Sequence, residues 1–251
     1  MEFRVKNMIK NTLKAVLSFL KIDLTQNLKY DRLTKKIFEQ VLTKDSNCID
    51  IGCHKGEVLD EILKSSPNGH HIGFEPIPDF NKNLVQKYKG QSKITISNIA
   101  LSDNAGEIEF NYVKNAPAYS GIKKRKYATS NPNVEKIKVN TQKLDAYLDD
   151  ISYSQPIHLM KIDVEGAEML VLKGAEKTIR IHKPTIIFEF GLGASDYYNT
   201  TPEDLYNMVE SNFEMKLSTL DHFINSKPAL TLKEFTSLYS NNKEYYFIIH
   251  R

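Results

Sequence analysis

The run Asp50-Ile51-Gly52-Cys53-His54-Lys55-Gly56 (DIGCHKG) stands between two patterns of different period. Before it, Asn47 to Ile51 is a short apolar run with strand character. After it, Val58, Leu59, Ile62 and Leu63 fall on one face of a helix spanning Glu57 to Leu63. A strand, a glycine-bearing turn and a helix in that order put the turn at the carboxyl edge of an α/β sheet, where such sheets bind ligands. Gly52 and Gly56 let the backbone turn tightly and approach a ligand closely. A dinucleotide site more often shows G-x-G-x-x-G, whose glycines admit a pyrophosphate. Here an acid, Asp50, comes first; it would repel a pyrophosphate but not a ligand carrying a sulfonium and an ammonium. That charge argument favours S-adenosylmethionine over NAD, although D-x-G-x-x-x-G alone does not name a ligand.

Downstream, Ser65 to Gly69 is a turn, His71 to Phe74 a strand, and Phe80, Leu84 and Tyr88 mark a helix at four-residue spacing. Ile94 to Leu101 is expected to be the third strand. Three strands with two intervening helices imply parallel pairing through right-handed crossovers. Glu75, in Gly73-Phe74-Glu75-Pro76, ends the second strand, where an acid can accept hydrogen bonds from both ribose hydroxyls of a nucleotide. The alternative is an exposed acid at a strand end. Ala100 and Leu101, in Asn98-Ile99-Ala100-Leu101-Ser102, are placed to face an adenine ring, or else simply to end the strand.

The rhythm breaks from Gly106 to Leu148. Ile108 to Val113 and Ile137 to Thr141 read as strands of an inserted hairpin around a polar loop. The alternation then resumes with a strand at His158 to Ile162, a helix at Ala167 to Leu172 ended by Gly174, and a strand at Thr185 to Phe190. Thr201-Pro202-Glu203-Asp204 and Thr231 to Glu234 are capping boxes that open helices. Met215 to Leu220 and Tyr245 to Ile249 are the expected closing strands, both taken as antiparallel. The sum is an α/β, Rossmann-like fold. Its mostly parallel central sheet carries helices on both faces, an inserted β-hairpin and an N-terminal helical extension.

In Lys161-Ile162-Asp163-Val164-Glu165-Gly166-Ala167-Glu168, Lys161 and Asp163 alternate onto one face of a strand. Lys161, deep in an apolar run, is expected to pair with a neighbouring acid rather than to act on substrate. Glu168 suits the first turn of a helix on electrostatic grounds alone. Asp163 and Glu165 are the catalytic candidates, because the strand end points into the ligand crevice. Glu189 ends the next strand and either joins them or pairs with Lys161. His222 reads as a surface histidine.

Lysine and arginine number 34 against 31 acids, a net charge of +3, which gives no general case for nucleic acid. The run Lys123-Lys124-Arg125-Lys126 is either a solvated loop or a clamp for an anionic substrate. Two cysteines, Cys48 and Cys53, make no disulfide framework and suit a reducing compartment. Residues 1 to about 22 carry Val5, Met8, Ile9, Leu13, Val16, Leu17 and Leu20 at helical spacing with lysines on other faces. This basic amphipathic helix either packs on the domain or a second subunit, or serves as an anchor at a membrane surface or a lid over the active site. With no membrane span or signal peptide evident, a cytoplasmic protein is expected, with peripheral membrane contact or self-association through the N-terminal helix as its options.

The ordered set DIGCHKGE, GFEP, NIALSDNAGEIEF, Thr141-Gln142-Lys143-Leu144-Asp145, KIDVEGAEMLVLKGA and PTIIFEF resembles the FkbM family of S-adenosylmethionine-dependent methyltransferases, over roughly Asn47 to Phe190. The resemblance implies a class I methyltransferase domain over residues 45–251 after a helical extension over residues 1–44. It also implies O-methylation of a hydroxyl on a sugar, a glycan or glycolipid, or a related natural product. Asp50, Gly52, Cys53 and Gly56 then belong to the cofactor loop, Glu75 to the ribose, and Ala100 and Leu101 to the adenine side. Asp163, Glu165 and Gly166 fall on the D-V-E-G signature. His54 departs from the small residue or Asn often found there and receives no role. The expected general base is Asp163 or Glu165, with a divalent cation held by such acids as an alternative and no metal ligand assigned. Competing readings are a catalytically inactive scaffold on the same fold and a nucleic-acid methyltransferase working through the basic loop.

Overall fold

The computed structural model describes residues 25–127 and 130–251. The expectation of a helix over residues 1 to 22 lies outside them. Helix α1 (Gln26–Val41) starts at Thr25, whose hydroxyl caps Leu28 N, and buries Tyr30, Leu33, Ile37 and Phe38 on one face. Strand β1 (Cys48–Ile51) leads through DIGCHKG into α2 (Glu57–Ser65), followed by β2 (His71–Phe74), α3 (Pro78–Lys87) and β3 (Ile94–Ser97). Next come β4 (Ala100–Leu101), β5 (Gly106–Val113), β6 (Val134–Gln142) and α4 (Leu144–Asp150). The chain continues through β7 (Leu159–Ile162), α5 (Glu168–Gly174), α6 (Glu176–His182) and β8 (Thr185–Glu189). It closes with α7 (Pro202–Asn207), β9 (Lys216–Thr219), α8 (Leu220–Ile224), α9 (Leu232–Ser240) and β10 (Tyr246–His250).

Seven strands make the central sheet in the order β3-β2-β1-β7-β8-β10-β9. The first five run parallel to one another, and β10 lies antiparallel between β8 and β9. Of the two closing strands, therefore, only β10 is reversed; β9 runs with the parallel set. Side chains alternate across the sheet as a doubly covered strand requires. Ile49, Ile51, Met160, Ile162, Ile186 and Phe188 join the core under α4, α5, α6, α7 and α9. Cys48, Leu159, Ile187 and Ile248 face α1 and α8 on the other side.

The expected third strand is two strands. Asn98 ends β3 by turning its side chain back, where Nδ2 donates to Glu75 O at 2.9 Å and Pro76 O at 3.0 Å. The next two residues leave the central sheet altogether. As β4 they pair with Thr141 and Gln142 of β6, in a second sheet of order β4-β6-β5. The hairpin is there as expected, an eight-pair antiparallel ladder from Gly106↔Thr141 to Val113↔Val134. The capping boxes at Thr201 and Thr231 are both formed. Helix α6 has no counterpart in the sequence reading, because Gly174-Ala175 looked like a stop and is only a break between two short helices.

Candidate active site

At the carboxyl edge of β1, β2 and β7 lies a cavity of about 550 Å³. The loop after β1 forms one wall. Gly52 and Cys53 donate their backbone N–H groups to Phe74 O at 2.9 and 3.0 Å, so the loop folds over the end of β2. Gly52 holds φ +86°, and a β-carbon there would lie 2.0 Å from Asp163 O. The position thus needs glycine both for its dihedral and for the close passage of the β7 strand end.

Glu75 is the best-positioned acid in the cavity. It is buried, and its carboxylate accepts from His54 N at 2.7 Å and Ile77 N at 2.9 Å. These two N–H groups leave each oxygen with acceptor capacity toward the cavity. Burial pushes the Glu75 carboxyl up to about 7, against the pull of the two N–H groups. His54 has φ +49°, which is what presents its N–H to Glu75, and its ring lies 4.6 Å from that of Phe80. Sequence reasoning gave His54 no role; the structure gives its backbone one.

Asp50 and Gly56 do not line the cavity. Asp50 sits within β1, fully buried, opposite Gly73 and Lys161 in the strand register. Burial raises its carboxyl to about 6 while Lys161 pulls it back. Its charge can reach a ligand only through the strand end above it. Gly56, at φ +75°, precedes α2 and packs against Tyr88 and Leu84. Cys53 is on the wall with its thiol donating to Asp50 O at 3.2 Å; both cysteines are free and buried. Ala100 and Leu101 also line the cavity, reached from the second sheet rather than from the end of β3, together with Ile99 and Phe110.

Across from Glu75 the end of β7 holds the acid cluster. Carboxylate oxygens of Asp163, Glu165 and Glu189 lie within 4.8 Å of one another. Lys161 Nζ donates to Asp163 Oδ2 at 3.0 Å, as the sequence suggested, and the Tyr246 hydroxyl donates to the same oxygen. Burial alone would raise the Asp163 carboxyl, but Lys161, Tyr246 and Glu189 outweigh it and hold it below the ordinary range. Burial, and then Asp163, push Glu189 well above its ordinary value. Lys161 pairs with Asp163 and the Glu189 carboxylate lies with Asp163 and Glu165, so of its two sequence options Glu189 takes the cluster. Glu165 adopts φ +60° in the turn that follows and pairs with Arg125 from the inserted hairpin; the two side chains are 16% and 10% exposed. Arg125 in turn lies 5.2 Å over the Tyr119 ring. Glu168 faces inward rather than outward. Its Oε1 accepts from Val164 N and Gly166 N, both at 3.1 Å, which fixes the turn, and burial raises its carboxyl to about 7.

Two groups of lining residues were not found from sequence. Tyr30, Asp31, Thr34 and Lys35 of α1 close one side of the cavity, and Tyr246 comes from the last strand. Only the tertiary fold brings these to DIGCHKG; Tyr246 carries no local signal beyond opening a strand. The lining holds six acids (Asp31, Glu57, Glu61, Glu75, Asp163, Glu165), of which Glu61 pairs with Lys35, Asp163 with Lys161 and Glu165 with Arg125. His222 lies away from the cavity, its Nδ1 3.0 Å from Pro228 O.

The strand order with its single reversed strand, and helices on both faces, define a class I methyltransferase-like fold. The family description "Methyltransferase FkbM domain" matches residues 50–215, and the chain belongs to that family. Among solved structures, the FkbM methyltransferase of Methylobacillus flagellatus KT aligns with 98% of this chain at 14% identity and a TM-score of 0.51. This chain spans 60% of that protein's length. An rRNA methylase of Streptococcus thermophilus aligns at 10% identity over 87% of this chain and 92% of its own, with a TM-score of 0.44. A Streptococcus mutans protein assigned as a methyltransferase and solved with SAH aligns at 9% identity over 86% of this chain and 94% of its own, with a TM-score of 0.43. At these identities the likeness is one of fold. No curated protein matches the chain. No helix among the described residues is long and apolar enough to cross a membrane.

Proposed function

We propose that this methyltransferase uses S-adenosylmethionine to O-methylate a hydroxyl of a sugar, a glycan or glycolipid, or a related small molecule. The observation that carries the reading is Glu75, a buried carboxylate aimed by two backbone N–H groups into an acid-lined cavity at the end of β2. The residues present fit the donor. Glu75 would hold the ribose hydroxyls, Ala100, Leu101 and Ile99 the adenine, and Gly52 with Cys53 the end nearer Asp163. When bound, the donor supplies an electrophilic methyl group on sulfur; the protein's part is orientation and the handling of a proton.

Of the two candidate bases the geometry favours Glu165. Asp163 already accepts from Lys161 and Tyr246 and is held below the ordinary carboxylate range, so its basicity is low. Glu165, whose partner among the described residues is Arg125 of the hairpin, lines the cavity. It accepts the proton of the acceptor hydroxyl. The same pairings support a proton acceptor over a divalent cation here: Lys161 and Arg125 already compensate Asp163 and Glu165. Methyl-labelled donor incubated with cell-derived glycan and glycolipid fractions tests the reading. A base-stable methyl ether that requires Glu165, and that Glu165→Gln reduces by roughly the 10²–10⁴-fold typical of a lost general base, is expected. Label appearing only in RNA, or unaffected by Glu165→Gln, would refute it.

A further inference from the structure

The basic run of the hairpin and the loop after β8 form one surface. Lys126 N donates to Gly193 O at 3.2 Å, Lys123 N to the Tyr198 hydroxyl at 2.8 Å, and Lys123 Nζ to Tyr197 O at 3.3 Å. The two segments thus lie edge to edge. One exposes Lys123, Lys124 and Lys126. The other exposes Leu192 and Tyr197, which are 45% and 44% accessible and among the few large apolar side chains left in solvent. The acid between them, Asp196, is turned back onto Gly193 N at 2.6 Å. Exposed apolar and aromatic side chains on one segment beside exposed lysines on the next are the composition of a surface that binds a membrane interface.

Two further contacts locate this surface. Ser120 and Ile122, at the root of the basic run, line the cavity, so the patch borders its mouth. The start of α1 reaches the same edge: the Tyr245 hydroxyl bonds Asn27 Oδ1, and a β-carbon on Gly191, next to Leu192, would lie 2.7 Å from Tyr245 Cβ.

We propose that this surface docks on an anionic lipid bilayer, with Leu192 and Tyr197 entering the headgroup region and Lys123, Lys124 and Lys126 facing the lipid phosphates. The cavity mouth is then presented to hydroxyls carried at the bilayer surface. Docking does not depend on methyl transfer, and its test does not use it.

The full chain is sedimented with phosphatidylcholine vesicles with and without phosphatidylglycerol, at low and high salt. Binding to the anionic vesicles alone, weakened by salt, is expected. Replacing Lys123, Lys124 and Lys126 together by Ala should lower partitioning on the order of a hundredfold, at roughly fivefold per lysine. Leu192→Ser with Tyr197→Ser should lower it by roughly tenfold. The chain contains no tryptophan, so Tyr197→Trp gives a single reporter whose emission should shift to the blue on anionic vesicles. Equal binding to both vesicle types, or undiminished binding by the lysine variant, would overturn the proposal; the latter would place membrane contact in residues 1–24. A Tyr197→Trp emission that ignores vesicles would overturn it too, whatever the stability of the other variants.

Discussion

Replacing Glu75 by Gln keeps the side chain's shape and removes its charge, and the structure sets the size of the effect. In the free protein the two Glu75 oxygens meet two backbone donors, His54 N at 2.7 Å and Ile77 N at 2.9 Å. A glutamine satisfies one and turns its amide N–H₂ toward the other, so one buried N–H loses its acceptor. The hydrogen bonds from two ribose hydroxyls also lose their charged partner. Hydrogen bonds to a charged group are worth about 1.5–3 kcal/mol each, and the reorganised amide keeps part of that. A net loss of about 2–3 kcal/mol, roughly thirty- to 150-fold in donor affinity, follows. The pH dependence is the sharper signature. Burial raises the Glu75 carboxyl to about 7, and the ribose hydroxyls prefer its ionised form. Affinity should therefore rise with pH up to about 7 and level off above it, with protons released on binding in the lower range. Calorimetric titration of S-adenosylmethionine or S-adenosylhomocysteine between mildly acidic and mildly alkaline pH, in buffers of different ionisation heat, measures both. Glu75→Gln should flatten that rise. Wild-type affinity independent of pH, together with unchanged binding by Glu75→Gln, would refute the assignment of the ribose to this acid.

Three further outcomes are expected. Glu168 has a folded-state value of about 7, above its ordinary 4.5, so the folded state holds more protons between these values. Stability should fall as pH rises through that window, by on the order of 2–3 kcal/mol from this group, and Glu168→Gln should reduce the slope in urea unfolding. Gly52→Ala forces a β-carbon to 2.0 Å from Asp163 O at φ +86° and should cost more than about 2 kcal/mol, read as a lower urea midpoint with an unchanged slope. A double-mutant cycle of Arg125→Ala and Glu165→Gln should show a coupling of about 1–3 kcal/mol, since both partners are largely buried; additive effects would separate the hairpin from the acid it covers.

The central sheet was legible in the sequence because each parallel strand is short, apolar and bounded by a turn or a helix of clear period. What escaped was decided by contacts distant in sequence. Ile94 to Leu101 has the composition of one strand, and nothing local says that Asn98 bonds back to Glu75 and Pro76 and releases Ala100 and Leu101 to another sheet. The reversed orientation belongs to β10 alone because that strand enters between β8 and β9, an order no local pattern encodes. In the site, DIGCHKG, GFEP and KIDVEGAE each placed their acids near strand ends. Yet Asp50 proved to lie beneath the cavity, because a residue two positions before the turn is still within the strand. Arg125 was visible only as one member of a charge run. Its pairing with Glu165 depends on a hairpin tip and a strand end some forty residues apart meeting over the cavity.

The hairpin is joined to the molecule in an unusual way, for Thr141 pairs with Ala100 on one side and Gly106 on the other. Both legs of the excursion are thus clamped at one point, and the eight-pair ladder above that point keeps its own register whatever lies at its far end. Lengthening or replacing the segment between Val113 and Val134 would change the closure entropy only as the logarithm of its length. The base of the ladder, which reaches the cavity wall through Ala100 and Leu101, would not register the change. The clamp at Thr141 thus confines the consequences of a change in the tip to what the tip itself touches: Glu165 through Arg125, and the cavity wall through Ser120 and Ile122.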